Sequence, residues 1–475
     1  MLDMNWRMAQ ADARRIEVDG RPVLFHVPTT SLFELDGVAD AVMRGLADGG
    51  SLDLSVLAES FAPAEVEEAL RDLAALNVIR PDGTAAATRT RPALPENSLT
   101  SLVLTLTTGC NLACTYCYKE DLARPGVAGH LSPDHAERAV DLLIRESGAR
   151  KRVNLTFFGG EPLTVLPLVR RVVAHAERRG RESGKEFDFS LTTNATLLND
   201  DIIDFLAAHR FALTVSMDGP EAIHDRNRRT LGGSGTHAVV AERARRLLER
   251  YRGRPVGARV TLTAGITDVA AIHHHLKHEI GFAEIGFAPV TAGLPAGFRL
   301  DDSETREVFD NLKALALQWQ DAALEGRDIG FSNIGQMMTA LHEGSSKLIP
   351  CGAAVALLAV DIAGNLTLCH RFAGGELAPF GHVETGIDRA AVAAFVERAL
   401  DRSEGFCGDC HARHLCAGGC YHESHARHGD LFRPTDHYCD LMREWVDLGI
   451  AIHARLMAGN PTFLARRSGP RGSDT

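Results

Sequence analysis

The sequence contains no basic block, no apolar run long enough to span a membrane, and no export signal within its first 15 residues. Each absence excludes a class of function. Lys and Arg number 51 against 62 Asp and Glu, a net charge of −11, which argues against nucleic acid as the main partner. A membrane role is not expected either, because a spanning helix takes about 20 consecutive apolar residues. Without an export signal, a disulfide framework is the poorer use for ten cysteines. A reducing cytoplasm and metal ligation are the expectation. The apolar share of 45% is ample for packed cores, and 475 residues suggest about three domains.

The order of patterns along the chain divides it further. Residues 1–90 read as a small separate module. Two extended runs, 15–18 and 23–27, flank Asp19-Gly20, a hairpin signal. Residues 32–35 add a possible third strand, and amphipathic helices follow near 37–47 and 63–76. The Pro/Thr/Ala-rich stretch 82–97 reads as a linker. From 98 to 300 strands and helices alternate. Strands are expected at 101–107, 153–158, 187–193, 211–217, 256–263 and 283–289, with helices between them, such as 132–147, 166–183, 200–209 and 268–279. Six βα units imply a parallel sheet closing toward a barrel, with its chemistry at the carboxyl ends of the strands. Residues 301–345 are expected to form a helical bridge and 346–446 a loop-rich domain. A helix near 441–457 is expected to close the fold, and 447–475 to comprise this C-terminal helix and a tail that is disordered from 466 on.

The cysteines fall into two groups, three at 110–117 and seven at 351–439. Cys110, Cys114 and Cys117 are spaced C-x3-C-x2-C on the loop after the first expected barrel strand, and Tyr116 directly precedes the third. Three thiolates on a tight loop suit a four-iron cluster with one iron left open to a small molecule. Zinc normally takes four closed ligands. The second strand ends in Gly159-Gly160-Glu161, where the glycines permit close backbone approach and the carboxylate can receive an amino group. The third ends at Asn194 and the fourth at Ser216, with Asp218 and Arg228 following. Asn, Ser and Asp also favour plain strand-end turns. The histidines at 273–275 and 278 read as a solvated face, His422, His425 and His428 likewise, and Gly232-Gly233-Ser234-Gly235 as an ordinary loop.

The cysteine loop resembles that of the radical S-adenosylmethionine (SAM) enzymes, and the Gly-Gly-Glu turn resembles their motif for the SAM amino group. By that resemblance Tyr116, Gly159, Gly160 and Glu161 bind the cofactor. Asn194 and Ser216 contact its ribose or carboxylate, and Arg228 pairs with the carboxylate. The second cysteine group is similar to the SPASM domain, which carries two auxiliary iron–sulfur clusters. The resemblance gives Cys407, Cys410, Cys416 and Cys439 to one cluster and Cys351, Cys369 and Cys420 to the other, one thiolate short. A pair of zinc sites is the competing reading of these seven.

The run from Val23 to Asp36, the run from Cys117 to Asp121, Thr261-Leu-Thr263 and Gly286–Val290 resemble the quinohemoprotein amine dehydrogenase maturation proteins. That family joins cysteine sulfurs to methylene carbons of Asp or Glu in the dehydrogenase's small γ subunit, through a 5′-deoxyadenosyl radical. The implied fold is α/β: a partial (β/α)6 barrel, an N-terminal α+β, winged-helix-like peptide-recognition domain and a C-terminal SPASM domain. The implied cofactors are SAM and three iron–sulfur clusters, and the implied partners a Cys-containing polypeptide and an electron donor such as flavodoxin or ferredoxin. Asp218 is the candidate base for the thiol proton. Sulfatase-type and sactipeptide- or ranthipeptide-type maturases are alternatives, as is a non-catalytic iron–sulfur electron carrier.

Overall fold

The computed structural model describes residues 5–47, 52, 54–84, 98–118, 129–290, 296–375 and 377–468. Most of the expected linker, residues 119–121 of the quoted run, and the tail beyond 468 lie outside them.

Asp19 and Gly20 both take left-handed conformations, at φ 53° and 75°. This is the turn geometry whose twist matches an antiparallel pair. Ala13–Val18 and Arg21–His26 pair accordingly, and Ser31–Glu34 adds the third strand. Helices Gly37–Leu46 and Pro63–Ala75 cover the sheet, and Trp6–Met8 pairs with Ile79–Pro81. The module has its own core, in which Leu24, Met43, Leu70 and Ile79 are buried. Ion pairs tie it to the C-terminal region. Arg14 donates to both oxygens of Asp447 at 2.8 Å and 2.5 Å, Arg455 reaches Asp19 at 2.9 Å, and the buried Arg413 donates to Asp12.

Six strands follow one another in parallel: Ser101–Thr105, Arg152–Phe158, Glu186–Thr193, Ala212–Ser216, Gly257–Leu262 and Glu284–Pro289. They are called barrel strands one to six. One parity of each strand is apolar and packs under helices; in strand two this is Val153, Leu155 and Phe157, buried with Val169 and Val172 of helix Leu166–Ser183. The other parity is largely polar in strands three to five. Thr192, Thr214, Ser216, Arg259 and Thr261 line the interior. Strand periodicity therefore fixes which side chains meet a ligand.

The sheet has eight strands, two more than expected. Leu357–Val360 pairs in parallel with barrel strand one, and Leu366–Thr367 pairs antiparallel beyond it. The C-terminal region read as loop-rich thus extends the barrel sheet. It also contains helix Arg389–Glu404, capped by the Asp388 side chain on Ala391 N–H. The helix expected at 268–279 is α-helical over Val269–His274 and continues as a π-helix over His275–Ile280. The expected solvated histidine face holds for His274 and His278, which are exposed, and is corrected for His273 and His275. His273 is buried with a ring nitrogen 3.1 Å from the Ile329 carbonyl, and His275 is buried 3.2 Å from His237. Helices Asp302–Leu324, Ser332–Glu343 and Cys439–Gly459 share one continuous core with the barrel through Trp319, Phe331 and Trp445. Among the described residues no helix is long and apolar enough to cross a membrane.

Candidate active site

Barrel strand one delivers Cys110, Cys114 and Cys117 to a loop that lines an interior cavity of about 500 Å³. The loop is held from behind by the segment after the fourth strand. Ala113 N–H donates to Arg229 O at 2.8 Å, Thr115 N–H to Asn227 O at 2.9 Å, and Thr115 Oγ1 to Asn227 Oδ1 at 2.8 Å. Burial pushes the Cys110 thiol up to about 12 and raises that of Cys114. Thiols held this way stay protonated until a metal takes them as thiolates.

Gly159 and Gly160 meet backbone, and the backbone they meet is the cysteine loop. A Cβ on Gly160 would stand 1.9 Å from Gly109 O, and one on Gly159 would stand 2.5 Å from Thr107 O. This contact lets Gly160 N–H donate to Thr107 O at 2.8 Å and Glu161 N–H to Gly109 O at 3.0 Å. Glu161 is buried at the cavity wall. It accepts from Asn194 N–H and Thr193 Oγ1 at 2.8 Å each and from Leu163 N–H at 3.1 Å. Burial nevertheless outweighs these bonds and lifts its pKa to about 7. Asn194 Nδ2 donates to Asn111 Oδ1 at 2.9 Å and lies 3.7 Å from Cys110 Sγ. Glu161, Asn194 and Ser216 thus line one cavity together with the three cysteines.

Asp218 does not stand where a free base would. It is buried beneath the cavity lining. Its Oδ2 accepts from Tyr116 Oη at 2.6 Å and from Arg228 Nε at 3.0 Å, and its Oδ1 accepts from Thr261 N–H at 3.0 Å. With both oxygens engaged, the carboxylate locks the cysteine loop to strand four and neutralises Arg228. Arg228 lines the cavity with its guanidinium 5.5 Å from the Tyr116 ring centre. The expected pairing of Arg228 with a ligand carboxylate therefore has an internal competitor.

Several cavity residues were not singled out from sequence. Thr193 holds Glu161, while Arg259, His370 and Arg371 complete the lining. Strand parity relative to Ser216 and Thr261 was the available signal for Arg259. His370 and Arg371 follow Cys369, and the His370 ring lies 4.3 Å from that of Phe158. The C-terminal region thereby forms part of the cavity wall.

The other cysteines sort into two sets. Beyond the dominant effect of burial, Cys369 is influenced by Cys420 and Cys351, whereas Cys407 is influenced by Cys416, Cys410 and Cys439. The turn between Cys416 and Cys420 passes through Gly418 and Gly419, each at φ 82°. Buried Arg402 donates to both of their carbonyls. None of the ten cysteines is joined in a disulfide. Among the described residues, no three cysteine sulfurs lie within 4.8 Å of one another. Four thiolates around a zinc at about 2.3 Å would stand about 3.8 Å apart.

Residues 104–275, which include the three-cysteine loop, the Gly-Gly-Glu turn and barrel strands two to five, match the model of the Radical SAM superfamily. The chain is 31% identical over 158 residues to the cysteine-type anaerobic sulfatase-maturating enzyme of Clostridium perfringens strain 13, covering 32% of this chain and 42% of that protein. It is 26% identical over 321 residues to the serine-type enzyme of Klebsiella aerogenes, covering 66% of this chain and 76% of that protein. The chain thus spans less than half of the first relative's length. In fold it is similar to native anSMEcpe with bound AdoMet, with TM-score 0.64 and 21% identity, over 75% of this chain and 99% of that one. It is also similar to Streptococcus suis SuiB bound to precursor peptide SuiA, with TM-score 0.50 and 14% identity, over 91% and 99%.

Proposed function

We propose that the chain is a radical SAM peptide maturase that installs thioether crosslinks between Cys and Asp or Glu in the small γ subunit of quinohemoprotein amine dehydrogenase. The observation that carries a polypeptide substrate is the N-terminal module. It has its own core, presents Ser31–Glu34 as an edge strand, and is ion-paired to the region bearing the seven C-terminal cysteines. An edge strand can pair with an extended segment, and holding one part of a substrate raises the local concentration of the rest at the cavity.

Cys110, Cys114 and Cys117 would hold the cluster whose open iron meets SAM, with Glu161, Asn194 and Ser216 around the cofactor. Cys407, Cys410, Cys416 and Cys439 would hold a second cluster, and Cys351, Cys369 and Cys420 a third. Bound together, these groups would supply one-electron cleavage of SAM and removal of a hydrogen atom from the substrate, and an auxiliary cluster would take up the electron left when the thiol loses its proton and the C–S bond forms. The chain's own residues place the reactants. Asp218 acts as a positioning residue for Arg228 and Tyr116. The barrel wall and the turn carrying His370 and Arg371 line the cavity in which the reacting carbon would lie.

A second reading, conversion of a Cys or Ser to formylglycine, is favoured by the names of the curated relatives. Mass spectrometry of the purified γ subunit after reaction separates the two. A loss of two hydrogens per crosslink, mapped to a Cys and an acidic residue, supports the thioether reading. A new aldehyde at a single Cys or Ser replaces it with the second.

A further inference from the structure

Arg259 lies on barrel strand five in register with Ser216 of strand four and Gly286 of strand six. Gly286 offers no side chain, and a Cβ there would come within 3.4 Å of Arg259 Nη1. The register leaves space for the guanidinium to extend into the cavity, where it retains access to solvent. Arg371 enters the same cavity from the turn after Cys369, with its guanidinium 5.1 Å from the centre of the Tyr118 ring. Its Nη1 is buried with no hydrogen-bond partner among the described residues. Enclosure by protein lowers the pKa of Arg259, and the charge of Arg371 lowers it further.

The third arginine of the cavity is treated differently. Arg228 is neutralised by Asp218. Among the described residues, neither Arg259 nor Arg371 has an acidic partner, although the chain as a whole carries a net charge of −11. Two guanidiniums lining one cavity without an acidic partner favour an anion there, and the planar fork of arginine matches a carboxylate.

We propose that Arg259 and Arg371 form a carboxylate subsite that grips the side-chain acid of the substrate's acceptor Asp or Glu. This rests on the thioether reading and gives it a mechanism of selection. In Asp the side-chain methylene, and in Glu one of the two, is bonded to the carboxyl carbon, so fixing the oxygens fixes a carbon two bonds away. A Ser or Cys destined for formylglycine carries no such group. The competing source of a carboxylate is the methionine part of SAM, since Ser216 is Arg259's register neighbour.

The experiment uses the reconstituted full-length enzyme and the γ subunit, measuring thioether and 5′-deoxyadenosine in the same reaction. In Arg259→Gln and Arg371→Gln the ratio of thioether to 5′-deoxyadenosine should fall at least tenfold. An unchanged ratio overturns the proposal, whether neither product falls or both fall together as they would if the pair held SAM. The second arm replaces the acceptor Asp or Glu of the γ subunit by Asn or Gln. This should lower the wild-type ratio similarly, and combining it with Arg259→Gln should cost no more than either change alone. Additive losses overturn the subsite, because a merely structural arginine would not be coupled to the substrate's carboxylate. A wild type that makes formylglycine and no thioether overturns the parent reading, a result distinguishable from either failure above.

Discussion

Tyr116 Oη donates to Asp218 Oδ2 at 2.6 Å, joining the cysteine loop after barrel strand one to the turn after strand four. The same oxygen accepts from Arg228 Nε, and the acid and both of its partners are buried. A single carboxylate therefore sets the position of the loop that would hold the cluster and the charge of an arginine in the cavity.

Asp218→Asn is expected to damage both stability and cofactor cleavage. It leaves Arg228 buried without its counter-ion, a loss of roughly 3 kcal/mol. The thermal midpoint should fall, and 5′-deoxyadenosine and thioether should drop together. A variant of normal stability that still cleaves SAM but makes no thioether would restore Asp218 to the role of base. Tyr116→Phe should show the same pattern more weakly, since it removes one hydrogen bond and no charge.

Glu161 predicts a pH dependence of SAM binding. Its pKa in the folded protein, about 7, lies above its ordinary 4.5 because burial disfavours the charge. The protonated form is thus favoured by folding, and that stabilisation is fully present below about pH 4.5 and lost as the pH rises through about 7. An amino group on the ligand requires the carboxylate. SAM affinity should therefore weaken as pH falls below about 7, approaching tenfold per unit, and calorimetry should record proton release on binding near pH 6. In Glu161→Gln affinity should be low and nearly independent of pH across this range.

The cysteine sets predict metal content. Anaerobically reconstituted enzyme should hold about twelve irons if all three clusters are of the four-iron type. Changing Cys110, Cys114 and Cys117 to Ala should remove about a third of that iron and abolish SAM cleavage. Changing Cys407 and Cys410 should remove another third. Iron and sulfide analysis reads both. Retention of all iron in either variant would mean that these thiols are not ligands.

Much of this was legible in sequence because it is local. Asp19-Gly20 encodes its own turn, alternation encodes the barrel strands, and the cysteine spacing needs no partner to be noticed. Asp218 shows where locality ends. Its place after strand four fixed it near the mouth, but its direction depends on Tyr116 and Arg228, which reach it from other segments. Leu357–Val360 is a four-residue apolar run beside Cys351, and only its distant partner Ser101–Thr105 makes it a barrel strand. The sequence 389–404 has an apolar spacing that suits a helix, and the surrounding cysteines drew the reading toward loops. Arg259 carries the alternation of its strand, but the lack of an acidic partner is visible only once distant residues are assembled.

The N-terminal module yields a prediction about which part of a substrate it holds. A cleft of about 490 Å³ lies between edge strand Ser31–Glu34 and helix Pro63–Ala75, and its charged lining is wholly acidic: Glu34, Asp36, Glu65, Glu68 and Asp72. Phe33, on the edge strand, is 38% exposed and offers an apolar contact in the same cleft. An extended segment seated there would carry Lys or Arg beside an apolar anchor, because an acidic segment would meet like charge on both walls. Glu65→Lys with Glu68→Lys should therefore raise KM for the γ subunit about tenfold or more while changing kcat little, since these residues are remote from the cavity lining. Wild-type affinity should weaken with added salt, and the double variant should lose most of that salt dependence. Binding that is equally salt-sensitive in both proteins would move recognition to another face of the module. An unchanged KM would assign the module a packing role, consistent with the three ion-paired contacts that hold it to the C-terminal region.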